Sequence, residues 1–140
     1  MEIDVKQDCV GVDWKAVSET LKCVGMAHHE PDAHRRAFEA SYTVVFVYHD
    51  GRLIGFGRAI SDGVYQAGVY DCAVVPEFQG QGIGATIMKN ILARISHCNI
   101  ILYASPGKEG FYEKHGFRKM KTGMAQFTQD AAMRQRGFTE

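Results

Sequence analysis

Apolar residues follow two different rhythms along the chain, and the switch between them marks its organisation. Trp14, Val17, Leu21 and Val24 recur at helical spacing after Asp13, an N-cap residue, and Gly25 supplies a stop; a first helix is expected here. A second, shorter helix is expected after Pro31, with Ala33, Ala37 and Phe38 inward and Arg35, Arg36 and Glu39 outward. His28 and His29 sit in the joint between them. From Tyr42 the rhythm becomes that of strands. Tyr42 to Tyr48 is β-branched and aromatic, His49-Asp50-Gly51-Arg52 is a hairpin signal, and Leu53 to Ile60 returns as the partner. Ser61-Asp62-Gly63 opens another turn, and Val69 to Val75 completes an antiparallel meander.

The helical period then returns. Ile83, Ile87, Ile91 and Ile95 recur every four residues, with Leu92 beside them, which predicts a long helix ending near His97. Asn99 to Ser105 has the pattern of a buried strand, and Gly107 to His115 that of a short helix stopped by Gly116. Phe117 onward, through Met124 to Phe127, is expected to supply two last strands, and Gln129 to Glu140 a polar tail, at most loosely helical. There are no repeats or linkers, and 140 residues suit a single domain over positions 1–140.

Composition narrows the function. A hydrophobic share of 46% excludes wholesale disorder. Sixteen basic residues balance sixteen acidic ones, so no global positive field argues for a nucleic-acid partner. Cys9, Cys23, Cys72 and Cys98 lie far apart with no C-x-x-C pair, the pattern of reduced thiols in a cytoplasmic protein and of neither a disulfide frame nor a metal site. The N-terminus lacks the basic and apolar regions of a signal peptide. The longest apolar run, around Val44 to Tyr48, is far too short to cross a bilayer, so a soluble protein with no membrane partner is expected.

The strongest chemical signal is Gln79-Gly-Gln-Gly-Ile-Gly84, which joins the third strand to the long helix. A glycine-rich turn at a helix N-terminus collects unpaired amides at the positive end of the helix dipole, and the missing Cβ atoms let an anion approach. A Walker loop would end in Gly-Lys-Ser/Thr, whereas this chain has Gly84-Ala85-Thr86. A dinucleotide fingerprint needs G-x-G-x-x-G opening a parallel βαβ unit, whereas the spacing here is Gly80-x-Gly82-x-Gly84 after a meander. Both fail.

The segment Val75-Pro-Glu-Phe-Gln-Gly-Gln-Gly-Ile-Gly84 resembles the acetyl-CoA motif of the GNAT N-acetyltransferase superfamily, Q/R-x-x-G-x-G/A. Downstream, Phe111-Tyr-Glu-Lys-His-Gly-Phe117 resembles that family's second signature, and the likeness runs from Tyr42 to Phe127. It implies an α+β GNAT fold, with a mixed, mostly antiparallel sheet of six to seven strands, about four helices and a splayed cofactor-binding strand pair. Acetyl-CoA would be the co-substrate. By resemblance, its pantetheine arm pairs with the backbone of Cys72, Ala73 and Val74, and its pyrophosphate rests on the amides of Gln79, Gly80, Gln81, Gly82, Ile83 and Gly84, with Ala85 close behind. Gln79 stands where Arg is frequent, and Ser105 where many relatives place an Asn that binds the pantetheine amide. Lys108 follows in the same loop, as a candidate for a CoA phosphate or as a solvated lysine. Homodimers are common in the family.

The resemblance also places Tyr112 as the acid that protonates the departing CoA sulfur, with the Val74 amide as oxyanion donor. The alternative for Tyr112 is a core aromatic beside Phe111 and Phe117. Asp71 is an acid inside an apolar strand. It is the candidate base for the amine, or else a structural carboxylate capping a loop or pairing with Arg58. Strand alternation sets Asp71, Ala73 and Val75 on one face and Tyr70, Cys72 and Val74 on the other. His28, His29 and His49 are candidate bases by residue type. Adjacent histidines in a polar joint are more often exposed loop residues, and the resemblance, in which that joint often lines the acceptor side, makes His28 and His29 candidates for a substrate loop. Cys72 reads as a buried thiol, not a nucleophile, so transfer is expected to be direct. Likeness to plant-type arylalkylamine acetyltransferases, through Tyr70-Asp71, Pro76-Glu-Phe-Gln-Gly80 and Gly123-Met124, favours a small-molecule amine acceptor, for which Tyr48, Phe56, Tyr65 and Tyr70 could line a pocket. The alternatives are a protein lysine or N-terminal acceptor, and a module that binds acyl-CoA without turnover.

Overall fold

Asp13 caps the first helix as its position requires: its Oδ1 accepts from the Ala16 amide at 3.2 Å, and α1 spans Trp14–Cys23. The computed structural model describes residues 1–140 and divides them into two units, Met1–Leu102 and Tyr103–Glu140. In the first unit, α2 spans Pro31–Glu39, with proline in its first turn. A five-stranded sheet follows in the order β1 (Asp4–Lys6), β2 (Thr43–His49), β3 (Arg52–Ser61), β4 (Gln66–Val74) and β5 (Asn99–Ile101). The pairs β1–β2, β2–β3 and β3–β4 are antiparallel, and β5 runs parallel to β4. The long helix, α3, spans Ile83–Arg94.

Two layers cover the sheet. On one face Val17 and Leu21 of α1 and Phe38 of α2 meet Val44, Phe46, Leu53, Phe56 and Ala73 in one buried cluster. On the other, the four isoleucines read from the sequence turn inward: Ile83, Ile87, Ile91 and Ile95 are at most 3% exposed. Ile83, Ile87 and Ile91 seat against Gly55 and Gly57 of β3. A Cβ on Gly57 would lie 2.7 Å from the Cys72 sulfur and 2.9 Å from Ile87, and one on Gly55 would lie 2.9 Å from Ile87. These glycines are there for close approach, not for an unusual dihedral.

The second unit holds α4 (Glu109–Glu113) and α5 (Asp130–Gln135). Tyr103, Phe127 and Phe138 form its ring cluster, with centroids 5.3 to 6.4 Å apart. Here the strand count departs from the six to seven expected: the sheet has five. Residues 117–127 form no strand, because 118–126 are all exposed, Met120 and Met124 included. A segment with no buried face gains little from pairing. The strand expected to reach Ser105 stops at Ile101, while β1 adds an edge that the sequence did not announce. The polar tail forms α5, giving five α-helices where about four were expected.

The buried partner of Phe38 on α2 is His34, 3% exposed, rather than Ala33 or Ala37, which are half-buried. His34 Nε2 accepts the His29 amide at 2.8 Å, and Ser18 Oγ donates to the His29 carbonyl at 2.6 Å. Both backbone groups of His29 are thereby held, and the acceptor role requires a neutral imidazole. Burial lowers the His34 pKa; the Asp71 carboxylate works against this, while His29, Arg58 and His28 add to the lowering. Below about pH 6.5 the unfolded histidine takes up a proton that the folded one refuses, so this contribution is complete above that pH and lost as pH falls through the lower folded value.

Urea midpoints are therefore expected to fall as pH is lowered through about 6.5, and His34→Gln should flatten that dependence; an unchanged slope would remove His34 as its source. Gly57→Ala should cost about 1–3 kcal/mol in urea unfolding, since Ile87 and Ile91 must shift to admit the methyl group.

Candidate active site

Strand β4 carries one residue more than its partner. Phe56 pairs with Ala73, but Arg58 pairs with Tyr70, so Asp71 and Cys72 together oppose Gly57. Such an insertion is a β-bulge, and Asp71 occupies it at φ +56°, in the left-handed region. That conformation costs an ordinary residue about 1–2 kcal/mol, and aspartate is among the few that tolerate it. The expected alternation holds for Ala73, which joins the α1–α2 cluster, and for Cys72, whose sulfur faces α3. It breaks at Tyr70, whose ring lies 5.6 Å from the Arg58 guanidinium on the same side as the Asp71 carboxylate.

Beyond the bulge, the ladder determines where each amide points. The Val75 amide donates to the Ile54 carbonyl at 2.8 Å, so Ile54 and Val75 are a hydrogen-bonded pair. In an antiparallel ladder such pairs alternate, so Gly55 and Val74 turn their backbone groups away from each other. The Val74 amide and carbonyl thus point to the outer edge of β4. There β5 pairs only with Gln66, Ala67 and Gly68, leaving no strand beside the rest of β4 in the sheet. Gln79 folds back to this edge, donating from Nε2 to the Val74 carbonyl at 3.0 Å.

After Val75, a single turn of 3-10 helix at Pro76–Phe78 leads into the glycine-rich segment. Arg52 steadies that turn through Glu77 at 2.8 Å and lies over the Phe78 ring. Gly80 and Gly82 have φ of +78° and +83°, and Gly82 is the N-cap of α3 with no side chain capping it. The first amide to bond within α3 is that of Thr86, to the Gly82 carbonyl at 3.1 Å. The amides of Ile83, Gly84 and Ala85 precede it and are free for an anion. Open space lies where Cβ atoms would stand on Gly80 and Gly82. Gln81, like Gln79, Gly80 and Gly82, is exposed in this turn. Free amides, open space and an outward Val74 amide fit an acyl-CoA.

The remaining candidates fall out as follows. The Asp71 Oδ2 accepts from Arg58 Nε at 2.7 Å, the pairing that the sequence offered as the alternative to a base. Cys72 is half-buried as a residue, yet burial of its thiol, reinforced by the Asp71 charge, pushes its pKa up to about 12. That is a poor nucleophile near neutrality. In the second unit, Tyr112 lies half-buried on α4, its ring 5.1 Å from Phe111 and 6.1 Å from Phe117. The Ser105 carbonyl accepts from the Lys108 amide at 2.9 Å, and Lys108 is exposed. His28 and His29 are exposed beside Ser18, Glu19, Lys22 and Glu30 in a shallow cleft of about 400 Å³. His49 is tied to the Glu2 carbonyl at 2.8 Å and faces Phe78. The four aromatics offered for a pocket are not equivalent: Phe56 is fully buried in the core, whereas Tyr65 is 60% exposed. The residue that sequence reading missed is His34, whose one signal was its position four residues before Phe38.

Comparison with known proteins agrees with this geometry. The acetyltransferase (GNAT) domain family matches residues 13–129. Serotonin N-acetyltransferase 2, chloroplastic, of Oryza sativa subsp. japonica is 36% identical over 121 residues, 81% of this chain and 60% of the relative. GCN5-related N-acetyltransferase 1, chloroplastic, of Arabidopsis thaliana is 29% identical over 112 residues, 76% of this chain and 57% of the relative. The chain thus spans about 60% of the length of these curated relatives. Among solved structures, a probable acetyltransferase from Staphylococcus aureus superposes with a TM-score of 0.82 at 25% identity, covering 91% of this chain and 99% of that one. Arabidopsis thaliana Naa50, in complex with the bisubstrate analogue CoA-Ac-MVNAL, shares the fold with a TM-score of 0.71 at 16% identity, covering 86% of each chain. The chain belongs to the GNAT acetyltransferase family.

Proposed function

We propose that this chain transfers an acetyl group from acetyl-CoA directly to a primary amine of a small molecule. The observation that carries the proposal is the pairing of an uncapped helix N-terminus with an open strand edge: free amides at Ile83, Gly84 and Ala85 follow directly on a β4 edge that turns the Val74 amide outward. Acetyl-CoA, when bound, supplies an activated thioester carbonyl. Its pyrophosphate would be held by the amides of the 79–85 turn, where dipole and donors act together. The backbone of Cys72, Ala73 and Val74 would hold the pantetheine arm, with Ser105 as a further polar contact. The Val74 N–H would donate to the carbonyl oxygen as negative charge builds on it.

The reaction balances simply. The neutral amine nitrogen bonds to the carbonyl carbon, the C–S bond breaks, and the amine gives up one proton. The thiolate takes a proton from the Tyr112 phenol, and the proton lost by the amine passes through solvent to the tyrosinate, restoring the phenol. The walled-in Cys72 thiol supports direct transfer over an acyl-cysteine route. For the acceptor, the relative named serotonin N-acetyltransferase supports a small arylalkylamine. The four free cysteines support a reducing compartment such as the cytoplasm, and no helix is long and apolar enough to cross a membrane.

The deciding assay follows CoA release from acetyl-CoA on a panel of arylalkylamines, polyamines, and peptides with free N-termini or lysines. Turnover on the small amines supports the proposal. Turnover on peptides alone would make the acceptor a protein, and calorimetric CoA binding with no turnover on any acceptor would leave a binding module. Two variants probe the parts. Gly82→Val should weaken CoA binding by tenfold or more, because a β-branched residue at φ +83° distorts the cradle; unchanged affinity would refute the phosphate site. Tyr112→Phe should cut kcat by about 10²-fold or more while sparing CoA affinity, and equal loss of both would mark Tyr112 as structural.

A further inference from the structure

Asp71 draws attention as a base, yet three features of its setting point elsewhere. Its Oδ2 is taken up by Arg58 Nε at 2.7 Å. The Arg58 guanidinium is itself enclosed, 5.6 Å from the Phe38 and Tyr70 rings and 3.3 Å from Ser41 Oγ, and the pair is only 15% and 23% exposed. The Asp71 carboxylate is the counter-charge of that enclosed guanidinium, which places it in a structural ion pair. Finally, Asp71 holds the one left-handed backbone conformation in β4, at the bulge itself.

The bulge has a consequence for the cofactor edge. Without the extra residue, keeping the pairing of Arg58 with Tyr70, the end of β4 would shift by one position and Val74 would oppose Ile54. The Val74 amide would then turn into the ladder, because a one-residue slip reverses the direction of every group beyond it. We propose that Asp71 acts as a positioning residue, not as the base: its tolerance of positive φ, locked by Arg58, holds the bulge and so aims the Val74 amide at the open edge. Arg58 is the other half of the lock, tying the bulge to β3 and, through Ser41, to the segment just after α2. The functional meaning of this lock rests on the acetyl-CoA reading; the lock itself does not.

The test contrasts substitutions that separate charge from conformation. Asparagine and glycine tolerate the left-handed region without a carboxylate, whereas glutamate keeps the carboxylate without that tolerance. CoA binding by calorimetry should be about tenfold tighter in Asp71→Asn and Asp71→Gly than in Asp71→Glu, with thermal unfolding as the check that each is folded. Arg58→Gln should weaken CoA binding in the unaltered chain but not in the Asp71→Gly background, where glycine holds the dihedral unaided. Hydrogen exchange at the Val74 amide gives a readout independent of any ligand: fast in the unaltered chain, Asp71→Asn and Asp71→Gly, and slowed in Asp71→Glu. The opposite ranking, with Asp71→Glu retaining CoA binding and turnover while Asp71→Asn and Asp71→Gly lose them, would overturn the proposal, as would equal Val74 exchange in all of them. If the unaltered chain fails to bind CoA, the acetyl-CoA reading falls, and the exchange pattern alone decides the lock. Should Asp71→Glu not fold, Arg58→Gln in the two backgrounds carries the same contrast through Val74 exchange, and equal effects in both would refute it.

Discussion

One extra residue in β4 decides which way the last amides of that strand face, and the donor side of the site depends on it. A regular antiparallel ladder uses every second amide of a strand on each neighbour. Where β5 ends its pairing at Gly68, the outward half of those groups is left open, and the bulge at Asp71 determines that Val74 belongs to that half. Aspartate tolerates the left-handed region better than most residues but does not favour it, so a contact nearby must hold it there. The partly buried Arg58–Asp71 pair, its guanidinium 5.6 Å from the Phe38 and Tyr70 rings, is the contact at the bulge that does so.

The second requirement is that a helix N-terminus arrive at the end of the same strand. Gly55 and Gly57 allow it, because α3 can sit close to β3 only where no Cβ stands in the way of Ile83, Ile87 and Ile91. The connection from Val74 to Gly82 is then a single 3-10 turn and a glycine segment, short enough that amide cradle and open edge are neighbours by construction. On the opposite face, the cluster around Phe38, Phe46 and Phe56 anchors α1 and α2. His34, buried in the same layer, fixes the joint between them by accepting the His29 amide.

Much of this was legible in the sequence because it depends on local rules. Asp13 and Gly25 bracketed α1, the four-residue spacing of isoleucines announced α3, and the glycine turn with its free amides followed from helix geometry alone. What was missed depends on partners outside the segment itself. Residues 117–127 look strand-like in composition, but 118–126 find no burial, and a pattern cannot report the absence of a neighbour. His34 reads as polar and is buried, because a backbone amide five residues away in sequence satisfies its ring. Period-two alternation failed at Tyr70, since a bulge leaves no trace in hydrophobicity when both bulged residues are only half-buried.

By itself, then, the sequence determined the order of elements, the covering helices of the sheet and the anion-binding turn, because spacing, capping and glycine act within a few residues of one another. Only the tertiary structure decided that Asp71 pairs with Arg58 and takes a left-handed conformation, that Gly55 and Gly57 serve helix seating, and that the Val74 amide faces outward. Each of these depends on the register between strands or on the approach of a distant element. Register is a relation between two segments, and neither segment carries it alone.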